Sequence, residues 1–185
     1  MAILTKEELQ NQDVPNDLKL AIQNFECIED LFEEMECRFF DPEEIPSLTD
    51  NSYLTDSDKK NKGTMAAVSA SDQVFEHITF VVEALNGDLV GYWHGPENVE
   101  IKKAPIVKYD TEGQFSILSG LNLIEALVGD YVFDEDDEFL EFQENFSECG
   151  IEIVSKWDDL VETQPKTNPD KLHDSLYHKF LKENA

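Results

Sequence analysis

Acidic side chains outnumber basic ones by 41 to 14, so whatever this chain folds into must carry a formal charge of -27 on its outside. Unpaired carboxylates are costly to bury, and crowding them adds self-repulsion to the compact state. Each element must therefore turn its acids to water and keep one apolar face for a core. The 185 residues are 41% hydrophobic and include 12 Phe, enough apolar surface for one domain over residues 1–185. A field of this sign repels nucleic-acid phosphates and anionic lipid headgroups, and it steers basic proteins inward. The expected partner is thus a basic protein, with no nucleic acid and no membrane bound. Solubility alone is the competing explanation of the acid excess.

No segment reaches the roughly 18 uninterrupted apolar residues of a membrane span, and Met1 to Glu8 holds no apolar run of signal-peptide length. A cytoplasmic location is expected. Cys27, Cys37 and Cys149 are odd in number and form no C-x-x-C pair, so they read as reduced thiols.

Helical and strand patterns divide the chain. Thr5 with Glu8 makes a capping-box pattern, and after Pro15 a helix capped by Asn16 is expected to run to Asp41-Pro42. Its apolar stripe is Leu18, Ile22, Phe25, Ile28, Phe32 and Met35. Residues 47–73 are polar and read as an exposed loop or insertion. Short strands follow at His77–Glu83, Asp88–Trp93, Ala104–Tyr109 and Gln114–Leu118, joined by turns such as Asn86-Gly87. Connections this short require antiparallel pairing. Helical spacing returns at Leu121–Leu127 and Asp134–Glu148, then comes a strand-like Ile151–Val154. A last helix follows Asn168-Pro169, with Leu172, Leu176 and Phe180 as its buried stripe. The expected fold class is α+β, a twisted antiparallel sheet of short strands flanked by N-terminal and C-terminal helices.

Enzyme and metal signatures are missing from the pattern. His173 and His178 stand five apart on one helix, a spacing that does not bring two ligands to one face. Asp134 to Glu138 resembles the start of a calcium loop, but Phe139 occupies the glycine position and Asn145 the bidentate-acid position. No phosphate-binding glycine loop and no nucleophile elbow occurs. Neither a catalytic residue, a metal nor a cofactor is assigned.

Two surfaces are candidates for partner binding. On a helix from Asp134, the acids Asp134, Asp137, Glu141, Glu144 and Glu148 follow three-four spacing and form one stripe, while Phe139, Phe142 and Phe146 form another on the opposite side. A merely solvated face is the alternative reading of the acids. The second candidate is Tyr92, Trp93 and His94, residue types that anchor interfaces and also fill cores; for Trp93 the core is the favoured place.

The middle of the chain carries a family likeness. Ile78-Thr79-Phe80-Val81-Val82, Gly87, Gly91-Tyr92-Trp93, Ala104-Pro105-Ile106-Val107 and Ser119-Gly120-Leu121 leading into a helix occur in the order found in the SUKH superfamily, which the segment Val74–Val128 resembles. Ile45-Pro46 stands where that family has Leu-Pro. The resemblance implies an α+β fold and a non-enzymatic role. Bacterial members look like immunity proteins that neutralise toxin domains such as nucleases, and fungal relatives act as regulatory adaptors. The leading expectation is an immunity-type protein that binds a cognate basic toxin domain. An acidic mimic of nucleic acid, or an adaptor, is the alternative.

Overall fold

The computed structural model describes residues 2–41, 46–133 and 135–183. Ile45 and Asp134 lie outside the described residues. In chain order the regular elements are β1 (Ala2–Ile3), α1 (Lys6–Gln10), α2 (Asn16–Gln23), α3 (Phe25–Glu34), β2 (Arg38–Phe39), α4 (Lys62–Phe75) and β3 (Ile78–Glu83). They continue as β4 (Leu89–Trp93), β5 (Ile106–Tyr109), β6 (Phe115–Ile117), α5 (Leu123–Val132), α6 (Asp136–Glu148) and α7 (Pro169–Glu183).

The four expected strands form an antiparallel meander in the order β3-β4-β5-β6, and the fold is α+β. Two short strands widen it. β1 pairs parallel with Thr79 and Phe80, and β2 pairs antiparallel with Val82 and Glu83, so both lie along the same edge of β3. The sheet is therefore mixed rather than wholly antiparallel. Two residues per strand are too few for a period to show in sequence.

Period-two alternation divides the sheet into two faces. Ile78, Phe80, Leu89, Trp93, Val107, Tyr109 and Phe115 enter one core, and Val82, Val90, Tyr92 and Ile106 enter the other. The changeover within β3 is a bulge: Phe80 pairs with Gly91 and Val82 with Val90, leaving Val81 as the extra residue. Gly91 makes the bulge possible. A Cβ there would overlap the Thr79 carbonyl and the Phe80 Cα, so the two strands approach more closely than a side chain allows.

Helices cover both faces. On one, α1, α2, α3, α5 and α6 contribute Leu9, Leu18, Ile28, Phe32, Leu127 and Phe139. The Thr5–Glu8 capping box forms as expected. The following helix does not run unbroken. It stops at Asn24, whose amide leaves the helix to donate to the Cys149 carbonyl at 2.8 Å. Its cap is Pro15 rather than Asn16, and it ends well before Asp41. Glu36 adopts φ 51, Cys37 N–H donates to the Phe32 carbonyl at 2.7 Å and Glu36 N–H to Glu33 at 3.0 Å, a Schellman closure with Glu in the usual glycine place.

On the other face lie α4 and α7. The segment expected to be a loop up to residue 73 is helical from Lys62, with the Asn61 side chain accepting from the Gly63 and Thr64 amides. Its buried stripe is Ala66, Ala70 and Val74, small residues that let α7 pack closely along it. Because α7 is outermost, Leu172, Leu176 and Phe180 are half-buried rather than buried. Ile151–Val154 forms no strand among the described residues. Ile151 and Ile153 instead pin an extended segment to the core, and Val154 N–H donates to the buried Glu125 carboxylate at 3.3 Å.

Replacing Gly91 with Ala is expected to destabilise the protein by about 1–3 kcal/mol in urea unfolding, because β3 must move away from β4. A change below about 0.5 kcal/mol would contradict the close-approach account.

Candidate protein-binding face

The acidic stripe is built by what lies beneath it. Phe139, Phe142 and Phe146 of α6 are buried in the core, Phe142 and Phe146 with ring centroids 6.4 Å apart and Tyr131 edge-on to Phe142 at 5.7 Å. The 100° step then turns Asp137, Glu141, Glu144 and Glu148 outward, and all four are exposed. None of the four forms a salt bridge among the described residues. Asp136, Asp137 and Glu138 occupy the first turn of α6, where the helix dipole favours negative charge.

Both ends of α6 are tied down. At the start, Asp136 accepts the Trp157 backbone N–H at 3.2 Å. At the end, Gly150 takes φ 79, Ile151 N–H donates to the Phe146 carbonyl at 2.9 Å and Gly150 N–H to Ser147 at 2.9 Å. That is a second Schellman closure, here with the expected glycine. Beside it a disulfide joins Cys149 to Cys27 of α3, with Cα atoms 5.9 Å apart and a sequence separation of 122.

The disulfide corrects the reading of three reduced thiols. An odd count hid a pair because the third cysteine, Cys37, is buried on its own, its thiol pushed up to about 12 by burial and by the negative charges of Asp130 and Glu36. A thiol so disfavoured as thiolate is no nucleophile.

The second sequence candidate is taken up by the fold. Tyr92 and Trp93 are only 2% and 1% exposed, so neither offers area to a partner. Trp93 is fixed by its indole N–H, which donates to the Thr167 carbonyl at 2.8 Å and holds the approach to α7. Burial raises the Tyr92 phenol pKa, and its hydroxyl has no protein partner among the described residues. His94 is half-buried with both ring nitrogens engaged, Nδ1 with the Val99 carbonyl at 2.7 Å and Nε2 with Thr79 Oγ1 at 2.8 Å. A carbonyl only accepts, so Nδ1–H is the donor, and in the neutral ring that leaves Nε2 to accept the Thr79 hydroxyl proton. These three residues are placed by strand alternation and by the turn after β4, and they stand apart from the α6 stripe.

Sequence reasoning missed a different aromatic pair. Phe133, the residue after α5, is 72% exposed and lies edge-on to Trp157 with ring centroids 5.7 Å apart. The available signal was an aromatic directly before the acid run, on neither helical stripe. Among the described residues no group of three His, Cys, Asp or Glu is placed to hold a metal ion, and no helix is long and apolar enough to cross a membrane. No family model matches the chain, and no curated protein or solved structure matches it.

Alkylation under denaturing conditions without reductant is expected to label one of the three cysteines, and reduction to lower stability by about 3–5 kcal/mol for so long a loop. Labelling of all three would contradict the Cys27–Cys149 bond.

Proposed function

We propose that this chain is a non-enzymatic, immunity-type protein that binds and neutralises a basic toxin domain such as a nuclease. The observation that carries the proposal is the outward stripe of Asp137, Glu141, Glu144 and Glu148, exposed and without a cationic partner among the described residues. Over its 11 residue steps it extends about 16 Å along the helix, long enough to lie across a basic cleft. A cleft that handles nucleic acid carries Lys and Arg for phosphates, and carboxylates held in a row satisfy the same groups. The likeness to the SUKH superfamily supplies the immunity class, and the charge supplies the sign of the partner.

Such charges act first on encounter. They raise the association rate and make it fall with salt, while buried contacts set the residence time. The test is the association rate with a purified basic toxin domain of the nuclease class. Changing Asp137, Glu141 and Glu144 together to Lys is expected to slow association by about tenfold or more at low salt and to reverse its salt dependence. An unchanged rate with unchanged salt dependence would remove the steering role.

A further inference from the structure

Resting on the reading of α6 as a face for a basic partner, we propose that Phe133 and Trp157 are the apolar anchor of that face. They would receive an apolar or aromatic side chain that a basic protein presents among its lysines and arginines. Three independent observations converge on this pair. The first is exposure, since Phe133 is 72% accessible while most large aromatics of the chain are spent in the two cores.

The second is backbone conformation. Phe133 adopts φ 36 and ψ 93, in the left-handed region that bulky side chains rarely enter. Its ring lies edge-on to Trp157. Trp157 is fixed beside it by its indole N–H, which donates to the Gly129 carbonyl at 2.9 Å, and by its backbone N–H, which donates to Asp136 at 3.2 Å. Leu160 packs directly against Gly129, where a Cβ would collide with its methyl group. A bulky residue at positive φ that is also exposed is a pattern of binding sites.

The third is a groove. Phe133 and Trp157 border a cavity of about 230 Å³ whose apolar wall includes Ile117, Ala126 and Leu160. Asp130 lines it, and Asp136, Asp137, Glu138, Asp158 and Asp159 are exposed close to it in sequence. Opposing them are Lys156 and Lys108, and Lys108 is already bound to Asp130 at 2.7 Å. The sign of this rim selects the occupant. An anionic lipid surface or a nucleic acid is repelled, whereas a basic segment that carries an apolar side chain gains both the charged rim and the groove.

The test uses calorimetric titration with two probes, a short oligolysine peptide with a central tryptophan and its counterpart with a central alanine. Wild-type protein is expected to bind the tryptophan peptide about tenfold more tightly. Phe133→Gly is expected to abolish that preference while binding the alanine peptide like wild type, and its melting temperature should not fall because glycine accepts φ 36. Equal affinity of wild type for both peptides, or a preference that survives Phe133→Gly, overturns the anchor. The variant with Asp137, Glu141 and Glu144 changed to Lys separates the two readings. If it binds the alanine peptide as tightly as wild type, the charged face fails whatever Phe133 does, and if neither peptide binds wild type both readings fail. Sedimentation of wild type alone is the remaining arm, because a dimer lost in Phe133→Gly would assign the groove to a second copy and overturn the proposal.

Discussion

With Phe139, Phe142 and Phe146 committed to the core, α6 cannot rotate about its axis without exposing an aromatic ring. Each such ring is worth roughly 1.5–3 kcal/mol of burial, whereas each like-charged pair along the outer stripe costs only a few tenths of a kcal/mol. Packing therefore decides the orientation, and the acids accept the face left to them. The Asn24 amide, the Gly150 closure and the Cys27–Cys149 bond then fix the far end of the helix against α2 and α3. A surface of one sign becomes a surface of fixed geometry.

The same division of labour runs through the sheet. β4 sends Tyr92 to one core and Trp93 to the other, so the residues with the most contact area are used to join the two helical layers. His94 closes the strand by filling both of its ring nitrogens. At the outer edge of the first layer, where α5 gives way to α6, Phe133 stays exposed, as Tyr53 and Leu121 do elsewhere on the surface.

Much of this was legible in the sequence because long-range packing reinforced the local pattern. The strand meander, the inward phenylalanines and the outward acids all follow from periods of 2.0 and 3.6 residues. The failures have specific causes. Helix α4 uses Ala66 and Ala70 for its buried face, and small residues carry too little hydrophobic signal to mark a stripe. The end of α3 depends on Glu36 in a conformation usually given to glycine, so the stop signal was absent from the composition. Cys27 and Cys149 are 122 residues apart in sequence, and their meeting is a consequence of the α3–α6 packing alone. Phe133 sits where two helical periods meet, and only its backbone geometry and exposure distinguish it.

In the proposed function, the outward face of α6 is what meets a basic protein. Zero-length carbodiimide cross-linking tests this directly, because it joins a carboxylate to a lysine amine only when the two are in contact. With a basic partner bound, cross-links mapped by mass spectrometry should concentrate on Asp137, Glu141 and Glu144. Cross-links confined to acids outside α6, such as Glu7, Asp58 or Asp170, with the α6 carboxylates unmodified, would contradict it.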